Sequence, residues 1–384
     1  MLYRRFGRTE LQMPVFSCGG MRFMQSWEDL RREEIQAAGQ ENLRRTIHRA
    51  FELGINHFET ARGYGSSEIQ MGPVIAELPR DKIILQTKVQ PRADPKEFEA
   101  EIVTSFSNLG LDRIDLLAIH GINTQEHLDW VESHCLEICE HWRQRGFFRF
   151  LGFSTHGQTE LIRRSIATEA FDYVNLHWYY FNQRNHAAVE DAAARDMGIF
   201  IISPSDKGGR LYDPPDKLRR LCSPYSPIGF NNRFCLQNPH IHTLSVGAAQ
   251  PADFDEHLAS LAGLGDRDAV ASVDLAIQQE MKACLGGEWL QHWDRHLPEI
   301  EATPGRVNLL DILRFHNLAS ALGMFSFGKM RYQLLGKKNH WFPGEQAGAF
   351  DEGAMIAALE QAGHADPRRV VAALREAHLW WKES

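Results

Sequence analysis

The chain has 384 residues, 43% hydrophobic and 24% charged, with a formal net charge of -8. That length allows one large domain with an appendage, or two domains, and the acidic balance excludes the clustered excess of Lys and Arg that a nucleic-acid surface needs. No stretch approaches the ~20 apolar residues of a membrane span, and the start MLYRRFGRTELQMPVF carries charge where a secretory signal needs an apolar run, so a soluble cytoplasmic protein is expected.

The predicted elements begin with a hairpin, LYRRFG then LQMPVF, placed to plug one end of whatever follows. Eight short apolar runs come next: VFSCGG, INHFET, KIILQTK, IDLLAIH, FRFLGFS, FDYVNLHW, GIFIISPS and IHTLSVG. Apolar on both faces, they suit strands of a parallel sheet covered on both sides. Helix-like segments such as Glu41 to Leu53 and Pro95 to Leu109 lie between them and supply the crossovers that parallel neighbours require. Eight such units in about 250 residues predict a closed (β/α)8 TIM barrel over residues 1–265. Within it, the proline-rich piece from Pro214 to Pro227 is expected as a loop over the barrel mouth.

After Gly265 the alternation stops. Arg267 to Leu285 and Leu309 to Leu322 read as helices, followed by the aromatic-rich MRYQLLGKKNHWFPG and a terminal helical stretch, so residues 266–384 are expected to form a C-terminal α-helical appendage. Six cysteines in a chain of this size do not make a disulfide framework. Cys135 and Cys139, at i,i+4 spacing in an expected helix, could face the same way and bind a metal, but no further pair stands near them, and reduced, inert thiols, most of them packed, are expected with no metal site.

Polar residues fall at one end of the runs. Glu59, Lys88, His120, Ser154, His177, Ser203 and Gly247 sit at or just beyond the C-terminal ends of successive strands, which in a barrel converge on one mouth where active sites are built. The segment INHFETARGYGSSE adds Tyr64 in a glycine-containing loop. A phenol is too weak an acid to release its proton readily at neutral pH. A neighbouring ammonium stabilises phenolate, and a carboxylate keeps that ammonium charged and oriented. Tyr64 with Lys88 and Glu59 is such a set, and His120 is placed to donate a hydrogen bond to a carbonyl oxygen. Singly, each has a bland reading as a packed loop residue, a solvated strand end or a structural histidine. On three successive strand ends the chemical reading prevails: protonation of a carbonyl oxygen while a cofactor delivers hydride.

The pieces RRFGRTELQMPVFSCGG, GINHFETARGYGSSEIQMG, ILQTKV, LDRIDLLAIHG, FLGFSTHG and TLSVGAAQPADFDEHL, in this order over residues 2–262, resemble the aldo/keto reductase superfamily. The resemblance implies NADP(H) or NAD(H) lying across the barrel mouth and a small-molecule carbonyl or alcohol substrate. It also implies a catalytic set in which the family's Asp-Tyr-Lys-His become Glu59, Tyr64, Lys88 and His120. By the same match Ser154 holds the nicotinamide carboxamide, and Ser203, Ser205, Lys207 and Arg210 in ISPSDKGGR lie where pyrophosphate contacts are placed. His177, Gly247 and Asp253 complete the implied cofactor contacts.

Two departures stand out. Glu59 is one methylene longer than the family's aspartate, so the set depends on its bending to reach Lys88. After the last strand, GAAQPADF offers no cation for a 2′-phosphate and has Asp253 where an Arg is often found. Asp253 either accepts from a ribose 2′-hydroxyl, favouring NADH, or simply starts a helix with a favourable charge. The aromatics Trp178, Tyr179 and Tyr180 are expected to form a wall of the pocket, one of them stacking on the nicotinamide as the family implies. Arg62 and His156 read as mouth residues held in a salt link or a structural hydrogen bond.

The appendage, from TPGRVNLLDILRFHNLASALGMF to NHWFPG, resembles the C-terminal region of reductases carrying a ferredoxin-like iron-sulfur module. It lacks the C-x2-C-x2-C-x3-C ligands, Cys284 being the last cysteine, so no cluster is expected, and Phe325, Phe327, Tyr332, Trp341 and Phe342 read as a small core. The leading reading is a reductase. Its rival is a non-catalytic nicotinamide-bound redox sensor or regulatory subunit on the same barrel.

Overall fold

The computed structural model describes residues 1–382. Among the described residues there are ten strands: β1 (Tyr3–Arg5), β2 (Gln12–Pro14), β3 (Phe16–Gly19), β4 (His57–Glu59), β5 (Ile84–Val89), β6 (Leu116–His120), β7 (Phe150–Ser154), β8 (Tyr173–Leu176), β9 (Gly198–Ile201) and β10 (Thr243–Val246). β3 to β10 close into an eight-stranded barrel, each strand pairing parallel with its neighbours and β10 returning to β3. The eight apolar runs of the sequence are these eight strands. The fold is a (β/α)8 TIM barrel with C-terminal helices.

β1 and β2 form the antiparallel hairpin, Tyr3 facing Pro14. Beyond β1, Phe6 is fully buried in the barrel floor with Met13, Ile84, Leu116, Tyr173 and Phe200. Its ring centroid lies 5.7 Å from that of Tyr173, and a Cβ on Gly198 would come within 2.7 Å of the Phe6 ring. The floor is thus filled by side chains, and the mouth is left to the opposite end.

Outside the barrel, helix Ala37–Glu52 buries Leu43, Thr46, Ile47 and Ala50, the 3–4 spacing of one face. Helix Pro95–Leu109 begins where expected, with Asp94 accepting from the Lys96 amide and proline at the first turn, and ends at Gly110 in the left-handed conformation (φ 64°). Cys135 closes a π-turn over Val131–Cys135 and Cys139 lies in the helix that follows. Both are buried free thiols.

The chain divides into two compact units. The first comprises Met1–Gly208 and Asn231–Gly265, the second Gly209–Phe230 and Asp266–Ser384. The segment expected as a mouth loop therefore differs from expectation: it contains helix Asp216–Cys222 and belongs to the second unit. Within that unit Lys217 pairs with Glu280 of helix Arg267–Leu285 at 2.7 Å. A sequence pattern marks the prolines as breakers but cannot show the pairing with Glu280, far along the chain.

The other helices of the second unit include Leu309–Leu322, Phe325–Tyr332, Glu352–Ala362 and Pro367–Trp381. Asp266, Asn308, Asp351 and Asp366 cap helices here by accepting backbone amides, which satisfies donors the helix itself leaves open. Phe327, Tyr332 and Phe342 are buried, with Phe315 edge-on to Phe327 at 5.5 Å. Phe325 departs from the expected small core: it is 44% exposed and lies against Trp380. No helix among the described residues is long and apolar enough to cross a membrane.

Candidate active site

β4 aims Glu59 and β5 aims Lys88 into the barrel, because residues two apart on a strand share a face and Ile84, on the same face of β5 as Lys88, packs in the floor. Both are buried, Lys88 at 1% and Glu59 at 4% exposure. The Lys88 ammonium donates to Glu59 Oε2 and to the Thr60 carbonyl at 2.8 Å. The second carboxylate oxygen of Glu59 accepts from Ser245 Oγ, on β10, at 3.0 Å. The longer acid therefore reaches Lys88 while bridging across to β10. Room for it comes from Gly19, since a Cβ there would stand 2.8 Å from Glu59 Oε1 and 3.0 Å from Ser245 Oγ. Ser245 and Gly19 were not legible as parts of the site.

Tyr64 follows β4 in a turn tied to the strands by its backbone. The Thr60 amide donates to Gln86 O and the Arg62 amide to Lys88 O, each at 2.9 Å. Gly65 has φ 51°, and a Cβ on it would sit 1.9 Å from the Ser26 carbonyl oxygen, so the residue after the phenol must be glycine for the turn to close. Lys88 Nζ lies 4.9 Å from the Tyr64 ring centroid. An ammonium hydrogen-bonded to a phenol oxygen at ~2.8 Å, with a bond angle near ~120°, stands about that far from the ring centre, and Lys88 is a hydrogen-bonding neighbour of Tyr64. The His120 ring, at the end of β6, meets the Tyr64 ring edge-on with centroids 5.5 Å apart and planes at 86°. The four expected catalytic side chains are thus brought together.

Burial pulls the Lys88 pKa down, but the charge of Glu59 and the contact with Tyr64 outweigh it, and the ammonium stays protonated with a raised pKa. Burial pushes the Tyr64 phenol up. The Lys88 charge pulls it down and the Glu59 charge pushes it up again, leaving it above its ordinary value. The expected lowering by Lys88 operates, but burial and Glu59 exceed it. Below the pair, burial and the Lys88 charge press His57 down to about 3, so this histidine is neutral, its Nδ1 2.6 Å from Ser17 Oγ.

The expected cofactor residues are placed as follows. Ser154 is buried at the end of β7, its Oγ accepting from the Gly121 amide at 3.1 Å. His177, just past β8, has Nε2 2.6 Å from Nδ1 of His156 and its own Nδ1 on the Tyr179 hydroxyl. Lys207 Nζ is 3.5 Å from His156 Nδ1. Ser203 holds φ at 52°, a strained value for serine, and its carbonyl accepts from the Lys207 amide at 3.1 Å in the turn that also carries Ser205. Gly247 is exposed, and a Cβ on it would meet Arg22 Nε at 3.4 Å, which sets a cation beside the β10 end that the local sequence lacks. Asp253 accepts from the Ala249 amide at 2.8 Å and opens helix Asp253–Ala259. Arg210 lies in the second unit and pairs with Asp213 at 3.0 Å.

The residues expected as an aromatic wall are packed as follows. Trp178 and Tyr179 are core residues at 5% and 0% exposure, Trp178 stacked on Phe234 with centroids 5.0 Å apart. Arg62 is held by Asp29 at 2.7 Å and Glu101 at 3.0 Å, the expected salt link. A further residue was missed. Asn175 on β8 pairs in register with Ser154, is fully buried, and has neither amide atom in a protein hydrogen bond. Unpaired buried amides are rare and call for a partner that the chain itself does not supply. The signal was available: Tyr173, Asn175 and His177 alternate along one face of an otherwise apolar strand. Among the described residues no group of three or more His, Cys, Asp or Glu could hold a metal ion.

A buried ammonium locked to a carboxylate and touching a phenol, at the mouth of a parallel barrel, can support proton transfer at an oxygen. Comparison with known proteins identifies the family. The model of the Aldo/keto reductase family matches residues 16–211. The chain is 28% identical over 174 residues to a probable aldo-keto reductase of Glycine max, covering 42% of this chain and 49% of that protein. It is 34% identical over 118 residues to the L-galactose dehydrogenase of Arabidopsis thaliana, covering 28% and 37%, so the chain spans half or less of the length of these relatives. An aldo-keto reductase from Bacillus halodurans, solved in its holo form, shares the fold at 20% identity with a TM-score of 0.59, covering 71% of this chain and 96% of that one. The chain belongs to the aldo/keto reductase family.

Proposed function

We propose that the chain is a nicotinamide-dependent oxidoreductase that reduces an aldehyde or ketone to an alcohol, or catalyses the reverse, with Tyr64 as general acid/base. The observation that carries this reading is the Lys88 ammonium, fixed by Glu59 and the Thr60 carbonyl and set against the Tyr64 phenol. A raised pKa keeps Tyr64 protonated at neutral pH, the state a proton donor needs before reaction. As the proton leaves for the carbonyl oxygen, the Lys88 charge stabilises the phenolate, and Glu59 holds that charge in place. His120, edge-on to Tyr64, orients the same oxygen.

The residues around the mouth fit a nicotinamide. The unpaired amide of Asn175 stands in register with Ser154, and a carboxamide group offers the complementary donor and acceptor. Ser154 and Asn175 would hold that group, and the turn carrying Ser203, Ser205 and Lys207 would hold phosphate. When bound, the coenzyme supplies the hydride that no side chain can provide.

The test titrates the protein with NADPH and NADH, reading reduced-nicotinamide fluorescence, and then assays a broad panel of aldehydes and ketones. Saturable binding with turnover of at least one carbonyl is expected. Binding without turnover of any carbonyl would favour a regulatory nucleotide-binding subunit, and absence of binding would overturn both readings.

A further inference from the structure

We propose that Glu68 is a positioning residue for the Tyr64–Lys88 pair, bracing the turn that carries the phenol against the strand that carries the ammonium. The inference rests on the catalytic reading above and adds a residue that touches neither reacting group.

Glu68 is 0% exposed and lies in the first turn of helix Ser67–Ile75, four residues after Tyr64. A carboxyl group is rarely buried unless its oxygens are satisfied. Here Oε1 accepts from Thr87 Oγ1 at 2.6 Å and also from Ser105 Oγ, while Oε2 accepts from Asn108 Nδ2 at 3.4 Å. Thr87 immediately precedes Lys88 on β5, so its side chain faces out of the barrel as Lys88 faces in. Ser105 and Asn108 belong to helix Pro95–Leu109. One side chain thus joins the helix that ends the tyrosine turn, the lysine strand and the helix after that strand.

The linkage to Tyr64 is short. The Ser67 amide donates to the Tyr64 carbonyl at 3.0 Å, and Ser67 Oγ lies 2.8 Å from Thr60 Oγ1. At the turn's other end the Arg62 amide donates to Lys88 O. These bonds fix the ends of the turn, and Glu68 fixes the helix base relative to the position next to Lys88. Arg62 is the charge that acts on it, and Arg62 is itself paired with Asp29 and Glu101. Burial pushes the Glu68 carboxyl up to about 7 against the hydrogen bonds from Ser105, Thr87 and Asn108. A residue needed only to fill this site would more simply be apolar.

The test compares Glu68→Ala, Glu68→Gln and Thr87→Val in the full-length chain. Coenzyme affinity is read by nicotinamide fluorescence, kcat and KM on a turned-over carbonyl. Ionisation of Tyr64 is read as the phenolate absorbance by which each protein exceeds its own Tyr64→Phe counterpart. In Glu68→Ala, kcat should fall about tenfold or more, with coenzyme affinity within about twofold of the parent, because a small displacement of a catalytic group lowers rate more than binding. Its Tyr64 titration should move to higher pH as the phenol loses Lys88. Glu68→Gln should restore both readouts, since its amide oxygen can accept from Thr87 and Ser105. Thr87→Val should shift both in the direction of Glu68→Ala, and it carries the test if Glu68→Ala does not fold. A folded Glu68→Ala or Thr87→Val with unchanged kcat and an unmoved phenolate titration would overturn the proposal, as would Glu68→Gln as impaired as Glu68→Ala. The titration reads the geometry whether or not a carbonyl substrate turns over, so a failure of the catalytic reading is seen separately.

Discussion

Replacing Glu59 by Gln removes one negative charge from beside a buried ammonium and changes little else in size. Ser245 keeps an acceptor, because the amide oxygen can replace Oε1. Lys88, 1% exposed, is left with the Thr60 carbonyl at 2.8 Å and the Tyr64 phenol. Breaking a buried pair by removing one partner costs about 3–5 kcal/mol, and the carbonyl bond, present in both proteins, does not change this difference. A loss of about 3–5 kcal/mol in unfolding free energy at pH 7 is expected.

The pH dependence supplies a second signature of the same substitution. In the parent, the Lys88 pKa is raised above its ordinary 10.5, so its stabilisation is fully present below pH 10.5 and disappears as pH rises through the folded-state value. Without Glu59, burial, already the largest single influence, is no longer outweighed and draws the folded-state pKa below 10.5. The unfolded chain then binds more protons just under pH 10.5, and stability of the variant rises with pH in that window where the parent is flat. Denaturant titrations of both proteins from neutral pH toward pH 10 measure this. A variant within about 0.5 kcal/mol of the parent at pH 7, with a parallel pH curve, would refute the buried-pair argument.

Two further substitutions probe other parts of the molecule. Glu68 is buried with its pKa raised from 4.5 to about 7, so the parent loses stability as pH rises from 4.5 to 7 and bears the full penalty above pH 7, on the order of 3 kcal/mol. Glu68→Gln should remove that slope, and guanidinium midpoints of the two proteins should diverge as pH rises through this range. Phe6→Ala empties the barrel floor between Tyr173 and Gly198 and should cost about 3–5 kcal/mol by thermal or denaturant unfolding, while a loss under 1 kcal/mol would mean the hairpin does not seal the barrel.

The fold was legible because its signals are local. Each of the eight strands lies in a short, mostly apolar run, and helix Pro95–Leu109 carries its own cap and stop in Asp94, Pro95 and Gly110. The clustering of the four side chains proposed as catalytic was legible for a related reason: the ends of parallel barrel strands meet at one mouth wherever the strands lie in the chain. What escaped depends on which groups meet across the barrel. The reach of Glu59 relies on the missing side chain of Gly19 and a hydroxyl from Ser245, 186 residues away. The alternation of Tyr173, Asn175 and His177 marks a polar face, but the register of Asn175 with Ser154 and its unpaired amide are known only from the structure. The direction of the Tyr64 shift is set by how deeply the phenol is buried, which a list of neighbouring charges does not contain. The Pro214 to Pro227 segment joins the second unit through partners such as Glu280 far along the chain.

The measurement closest to the central claim is the pair of constants for Tyr64→Phe: coenzyme affinity by nicotinamide fluorescence, and kcat on any carbonyl the parent reduces. Removing only the hydroxyl should leave affinity unchanged and lower kcat by about 10²–10⁴-fold, the range supplied by a positioned general acid. A Tyr64→Phe protein that turns over its substrate at the parent rate would contradict the account.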